Sequence, residues 1–192
     1  MTASLLTGEE LYREVVLQKL RYARESVSIA TANVKDMQIE RNGKYASVLQ
    51  LFDELAGRGV SLRLLHAELP SRPFRASFDA RSRLVRGGLA LKICPRVHFK
   101  AIIVDNAFVY FGSANFTGAG LGAKSAARRN FELGICTEDF DTIDRISALF
   151  EAVWSGAECG TCKLREVCPD PIGEAAKPKL IRLGRARRLR RC

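Results

Sequence analysis

The sequence predicts an α/β fold with a mixed, largely parallel central sheet flanked by helices. Residues 27–31 alternate as a strand does, residues 45–57 have helical spacing, and residues 60–65 read as a second strand. This strand–helix–strand order favours a parallel crossover, which covers a sheet with helices. Residues 139–154 form a long helix with one apolar stripe, which is typical of a core-facing helix.

The other elements follow from local patterns. An apolar stripe over residues 8–24 predicts an opening helix, and Thr7 with Glu10 three residues later reads as a capping box. Residues 67–96 are rich in arginine and are broken by Pro70 and Pro73, and strand character returns at residues 89–93. A chain of 192 residues is long enough for one main domain, which we place at residues 1–155.

The net charge of +10 is concentrated at the C-terminal end. Residues 174–192 hold eight lysines and arginines against one glutamate, so this tail carries +7 and the remainder +3. A cationic surface attracts polyanions, and basic tails commonly contact phosphate backbones. We therefore expect a nucleic-acid partner, DNA or RNA, with a merely solvated basic end as the alternative.

Nothing in the sequence predicts a membrane segment or an export signal. No stretch reaches the ~18 apolar residues that a membrane helix needs. The first residues include two glutamates where a secretory signal would be apolar. We expect a cytoplasmic protein without a membrane partner.

A cluster of polar residues is predicted where two strands form a hairpin. Strand geometry projects His98 and Lys100 from one face, and residues 108–115 form the return strand. A two-residue turn at Asp105 and Asn106 would pair His98 with Ser113. Moving the turn by one residue would pair His98 with Asn115 instead. Either register brings all four side chains to one patch, whereas a three-residue loop would reverse the faces.

This patch has the chemistry of a phosphate pocket. The imidazole of His98 is a potential nucleophile, and the ammonium, hydroxyl and carboxamide groups of Lys100, Ser113 and Asn115 are donors for phosphoryl oxygens. None of these roles requires a metal, so we expect hydrolysis without a cofactor.

The spacing of these residues resembles the signature of the phospholipase D superfamily. That signature is His-x-Lys, four residues, Asp, six residues, Gly-Ser and a nearby Asn, and it stands here as His98, Lys100, Asp105, Gly112, Ser113 and Asn115. One residue separates Ser113 from Asn115, where the consensus often has two. Residues 130–132, Asn-Phe-Glu, are similar to the downstream acidic motif of the family, and the resemblance covers about residues 8–155.

The resemblance implies a role for each residue of the motif. His98 would be the nucleophile that forms a covalent phosphohistidine, and Lys100 and Asn115 would stabilise charge on the phosphoryl oxygens. Ser113 would donate a hydrogen bond, and Glu132 would orient the imidazole. Asp105 completes the candidate catalytic set by its place in the signature, although its expected role is structural.

The resemblance also implies a homodimer. The chemistry of the family uses one histidine to attack and a second to protonate the leaving oxygen, and this chain has one motif. His66, the only other histidine, has no lysine two residues later. Two copies of His98 could instead meet at a twofold axis.

These observations favour a homodimeric nuclease that acts on phosphodiester bonds. One alternative is a phospholipase or phosphatidyl-transfer enzyme with the same His98 site. A second alternative is a nucleic-acid-binding module without turnover. The net charge and the arginine-rich segments favour the nuclease.

A cysteine-rich segment, residues 156–173, follows the last helix. Cys159, Cys162 and Cys168 have the spacing C-x2-C-x5-C, which suits a zinc site or an iron–sulfur cluster of the [4Fe–4S] type. Three free thiols are the alternative interpretation. Cys192 is our candidate for the fourth ligand, whereas Cys94 and Cys136 adjoin apolar strands and are expected to belong to the core.

Overall fold

The computed structural model describes residues 3–41 and 43–172. The predicted basic tail, residues 174–192, and Cys192 with it lie outside the described residues. The described strands are β1 (Ser4–Thr7), β2 (Ser26–Thr31), β3 (Gln38–Arg41), β4 (Lys44–Ser47), β5 (Ser61–His66), β6 (Ala90–Ile93), β7 (Lys100–Val104), β8 (Phe108–Gly112) and β9 (Leu133–Thr137).

Three α-helices and several 3-10 and π-helical segments complete the described fold. The α-helices are α1 (Val48–Gly57), α2 (Arg72–Asp79) and α3 (Phe140–Trp154). The opening helix, Leu11–Lys19, and the turn Leu84–Gly88 have π-helical hydrogen bonds, and short 3-10 turns lie at Leu20–Tyr22, Ala126–Arg128 and Arg165–Val167. No helix in the described ranges has the length and apolar character needed to cross a lipid bilayer.

The predicted parallel crossover is present. Strands β2 and β5 pair in parallel on either side of α1 in sequence, with Val27 opposite Leu62, and β6 continues the parallel arrangement beyond β5. The N-terminus of the opening helix is also as expected, because Glu10 accepts a hydrogen bond from the Thr7 backbone N–H at 2.9 Å. The α/β class is therefore confirmed.

The expectation that the sheet is largely parallel is wrong. In the described part of the chain the seven strands have the order β1-β9-β8-β7-β2-β5-β6, and four of the six pairings are antiparallel. Only the first half of the chain alternates strands with crossover helices. In the second half, a tight hairpin joins β7 to β8 and a loop joins β8 to β9. Such connections need no crossover helix, and antiparallel pairing permits them.

Two apolar clusters cover the two faces of the sheet. The larger one joins the opening helix, α1 and α2 to the sheet, and Leu11, Phe52 and Phe74 are fully buried in it. The smaller one lies under α3, where Ile143 and Phe150 pack on Val109. With both faces covered, the edge of the sheet at which strand ends meet is the surface available for a site.

Candidate active site

The candidate residues come from strand ends that meet at one edge of the sheet. Strand β7 begins where its antiparallel neighbours β8 and β2 end, and β9 begins beside the end of β8. His98 and Lys100 therefore stand at the start of β7, Ser113 follows β8, and Glu132 precedes β9. This topology collects candidate side chains at the ends of three neighbouring strands.

The hairpin between β7 and β8 turns at Asp105 and Asn106 as predicted, but its loop has three residues, the length that reverses the faces relative to a two-residue loop. Asp105 and Asn106 both have positive φ, 54° and 48°, and the Ala107 N–H donates to Val104 O at 3.0 Å. The strands then pair Val104 with Phe108, so Ala107 is an extra residue between the turn and the ladder. If this register is continued, His98 lies opposite the residue between Ser113 and Asn115. The predicted pairing of His98 with Ser113 or with Asn115 is therefore wrong.

His98 and Lys100 are in direct contact. The Lys100 Nζ lies 2.6 Å from the backbone oxygen of His98 and 3.5 Å from its Nδ1. The imidazole is exposed, whereas Lys100 is half-buried. The ammonium on one side of the ring leaves Nε2 as the nitrogen that faces away from Lys100, where an incoming phosphate could approach.

Ser113 and Glu132 form a second contact at the same sheet edge. The Ser113 hydroxyl donates a short hydrogen bond to the Glu132 carboxylate and also accepts one from the Leu133 N–H at 3.1 Å. The other Glu132 oxygen accepts from Asn130 Nδ2 at 3.1 Å. Glu132 was expected to orient the imidazole of His98, but its hydrogen bonds in this structure go to Ser113 and Asn130.

Asn115 is fixed by the end of β2. Its Oδ1 accepts hydrogen bonds from Thr31 Oγ1 at 3.1 Å and from the backbone N–H groups of Ala32 and Asn33 at 3.2 and 3.1 Å. Thr31 is buried and also accepts from the Phe116 N–H at 2.9 Å. Since the carboxamide oxygen is saturated, its NH₂ group is the part of Asn115 that could donate to a phosphate.

Asp105 lies at the opposite end of β7 from His98. Its carboxylate accepts hydrogen bonds from the backbone N–H groups of Arg24, Glu25 and Ser26 at 2.8 to 3.1 Å. Partial burial alone would raise the pKa of this carboxyl, but the three N–H donors lower the pKa below its usual value. Asp105 thus ties the hairpin turn to the start of β2 and is not brought to the sheet edge that holds His98.

The second histidine, His66, is not exposed. It is 1% exposed at the end of β5, where its Nδ1 lies 2.9 Å from Glu68 O. Burial lowers the pKa of its imidazole and favours the neutral form. Its contacts are those of a structural histidine.

A polar groove beside Asn115 was not predicted from the sequence. It has a volume of about 540 Å³, and its lining includes three cationic side chains, Lys35, Lys124 and Arg128, together with Asn33 and Asn130. These residues lie in two separate connections, between β2 and β3 and between β8 and β9, so no single stretch of sequence indicated them. The sequence indicated Asn130 only as part of a motif, although its side chain also donates a hydrogen bond to Glu132.

Comparisons with known proteins bear on the family and the fold of this chain. The family model described as "Cardiolipin synthase, PLD-like domain" matches residues 16–154. A comparison with curated protein sequences found no significant match.

Solved structures with the same fold include two bacterial proteins. Nuc from Salmonella typhimurium, a phospholipase D family member, is 20% identical, with 80% of this chain and 95% of that chain covered and a TM-score of 0.58. NucT from Helicobacter pylori is 17% identical, with 78% and 93% covered and a TM-score of 0.56. TrmBL2, an archaeal chromatin protein with a described mode of DNA binding, is 15% identical, with 90% and 55% covered and a TM-score of 0.51.

Proposed function

Because this chain belongs to the phospholipase D-like family, we propose that it is a nuclease that hydrolyses phosphodiester bonds through His98. One observation carries the proposal: the exposed imidazole of His98, in contact with Lys100, stands at the sheet edge that also holds Asn115 and the cationic groove. A nucleophile beside fixed donors is the arrangement that phosphoryl transfer requires.

The proposed reaction has two displacement steps. His98 Nε2 attacks the phosphorus, the P–O bond to the leaving alcohol breaks, and a phosphohistidine forms. Water then attacks the phosphorus, the P–N bond breaks, and His98 is released with the phosphate monoester. Lys100 and the Asn115 carboxamide would offset the negative charge on the non-bridging oxygens in both steps.

A second imidazole is needed to manage the protons. It would protonate the leaving alkoxide in the first step and remove a proton from water in the second. His66 is buried and hydrogen-bonded to Glu68 O, so it is a poor candidate. In a homodimer, His98 of the partner subunit supplies the second imidazole. The exposed apolar side chains of Phe131 and Leu133, beside Glu132, offer a surface for contact between the two subunits.

Nucleic acid is favoured over lipid by the groove. The lining of the groove contains three cationic side chains, those of Lys35, Lys124 and Arg128, and one carboxylate, that of Asp36. A polyanion with regularly spaced phosphates could span such a surface. The DNA-binding neighbour TrmBL2 and the basic tail of this chain agree with this choice. A phosphatidyl substrate would need an apolar entry, which the groove does not provide.

The proposal is tested by incubating the full chain, in excess chelator, with labelled single- and double-stranded DNA and RNA and with phosphatidylcholine vesicles. We expect cleavage of at least one polymer in chelator, because the chemistry runs through an imidazole, and no release of lipid headgroup, because the groove is lined by cationic and polar side chains. Headgroup release without polymer cleavage would show a lipid enzyme. Polymer binding without cleavage would show a binding module.

The groove is expected to contribute to substrate binding. Replacing both Lys124 and Arg128 by alanine should weaken binding of all sequences alike and lower the slope of log affinity against log salt by about 1 for each phosphate that is no longer neutralised. The measurement is a salt titration of fluorescence anisotropy on the best polymer substrate.

The matched control for the groove is Arg145→Ala, which removes one exposed cation from α3 on the other face of the sheet. This variant should bind as the wild type does. The groove variant loses two positive charges and Arg145→Ala loses one, so a weakening in Arg145→Ala that is half of that in the groove variant would mean that net charge alone, and not the groove, determines affinity.

A further inference from the structure

A cavity of about 400 Å³ lies between the end of β6 and the segment that follows α3. Four cysteines line it: Cys94, Cys159, Cys162 and Cys168. All four are free and half-buried. The fifth cysteine of the described residues, Cys136, is instead buried in the sheet, and burial raises its pKa to about 12, as for a small apolar side chain.

Hydrogen bonds fix the Cys94 wall of this four-cysteine cavity and join it to the opposite wall. Cys94 begins a turn after β6, in which its N–H donates to His66 O at 2.8 Å and its oxygen accepts from the Val97 N–H at 2.9 Å. The opposite wall is attached to this strand because the Ile93 N–H donates to Asp170 Oδ2 at 3.3 Å. The cysteines are thus on two segments that the fold itself brings together.

The cysteine-rich wall has its own internal support. Arg165 Nη1 donates to Cys159 O at 3.0 Å and to Ile172 O at 2.9 Å, which closes the segment into a loop. The Arg165 N–H donates to Cys162 O at 3.1 Å. A short loop that turns its thiols toward one cavity is a common way to present cysteine ligands.

The other groups in the lining match a thiolate-bound metal centre. Four thiolates with either a zinc ion or a [4Fe–4S]²⁺ cluster carry a net charge of −2, and a partly buried anion needs cationic partners. Lys92, Arg96 and Arg165 all line the cavity and outnumber the two carboxylates of its lining, those of Glu158 and Asp170. The apolar side chains of Val97 and Phe99 limit the access of water to the same space.

The size of the cavity favours a cluster over a single ion. Zinc holds its sulfur ligands ~2.3 Å from one point, which packs the four thiolates tightly together. Among the described residues no group of three or more histidine, cysteine, aspartate or glutamate side chains is arranged to hold a single metal ion. A cubane cluster attaches each thiolate to a different iron atom and so joins sulfur atoms that lie farther apart.

We propose that Cys94, Cys159, Cys162 and Cys168 hold a [4Fe–4S] cluster. This assignment replaces Cys192 with Cys94 as the fourth ligand, because Cys94 lies on the cavity wall and completes the set within the described residues. The expectation that Cys94 belongs to the apolar core is therefore only partly correct. Cys94 packs against the smaller apolar cluster of the sheet but is only half-buried.

The cluster would also support the start of β7. Val97 and Phe99 flank His98, and both line the four-cysteine cavity. Cys94 precedes His98 by four residues, so a ligand bond at Cys94 fixes the segment that leads to the candidate nucleophile. The cluster acts here as a structural support, and the inference does not depend on the reaction proposed for His98.

The experiment is metal and sulfide analysis of the full chain after anaerobic purification, with visible absorbance. We expect about four iron and four sulfide per chain, with absorbance lost in Cys94→Ser and Cys159→Ser. Cys136→Ala and Cys192→Ser, the matched controls, should retain it. Because Cys94→Ser could also fail to fold, circular dichroism is recorded, and Cys94→His is expected to retain iron with a changed spectrum.

Three results would overturn the proposal. One zinc per chain without sulfide would exclude the cluster. Loss of iron in Cys192→Ser, with full retention in Cys94→Ser, would exclude Cys94 as the ligand. A folded wild-type chain without iron after anaerobic purification and reconstitution with iron and sulfide would exclude the site.

Discussion

His98→Ala is expected to lower the rate of phosphodiester cleavage by roughly 10⁴-fold or more, the size of effect seen when a covalent nucleophile is removed. The reason is the position of the imidazole, which is exposed and held beside Lys100 at the start of β7. In the variant, a water molecule at the position of the ring would be a weaker nucleophile, and no phosphohistidine intermediate would form. The measurement is initial-rate cleavage of the preferred polymer in excess chelator.

The control for His98 is the other histidine. His66→Gln should lower stability, because it removes the buried ring and its hydrogen bond with Glu68 O, but the rate per folded molecule should be kept. Cleavage that survives in His98→Ala at the wild-type rate would refute the mechanism. A loss of similar size in both variants would indicate that the assay reports folding rather than chemistry.

The same variant tests the homodimer. After subunits have exchanged in a mixture of wild-type and His98→Ala chains, a site that needs two copies of His98 gives activity proportional to the square of the wild-type fraction. A self-sufficient subunit gives activity proportional to the fraction itself. Sedimentation of the wild-type chain at the assay concentration shows whether dimers are present.

The second large effect is expected for Gly112→Ala. Gly112 is opposite Gly134 in the β8–β9 pair, and a Cβ at Gly112 would overlap the Leu133 backbone oxygen and come within 2.6 Å of Gly134 Cα. Both obstacles are backbone atoms, so β9 must move. We expect a loss of about 1–3 kcal/mol in the free energy of unfolding, the usual cost of overpacking, measured by denaturant titration.

This substitution should also reduce activity per folded molecule. The close approach of β8 and β9 allows the Ser113 hydroxyl to reach both the Glu132 carboxylate and the Leu133 backbone. Moving β9 away separates these groups, which explains in physical terms why glycine precedes serine in the motif. A Gly112→Ala chain with wild-type stability and activity would show that the strands are not packed as closely as described.

The control for Gly112 is Gly118→Ala. A Cβ built at Gly118 would meet only side-chain atoms, at ordinary contact distances of 3.7 to 3.8 Å. Its free energy of unfolding should therefore change little. A comparable loss of stability in both variants would point to a general effect of replacing glycine and not to the packing between β8 and β9.

The sequence by itself determined the local features of this protein. The opening helix with its Glu10 cap, the β2–α1–β5 crossover and the turn at Asp105 and Asn106 were all predicted, because each depends on residues that are near in sequence. The signature around His98 was also readable, since its spacing lies within one hairpin.

Only the tertiary structure decided how these pieces meet. Alternating apolar residues identify a strand but not the direction of its neighbours, so the mainly antiparallel sheet was not predicted. One extra residue, Ala107, shifted the register of the hairpin. The cationic groove and the place of Cys94 beside the cysteine-rich segment depend on contacts between distant parts of the chain, which local patterns do not contain.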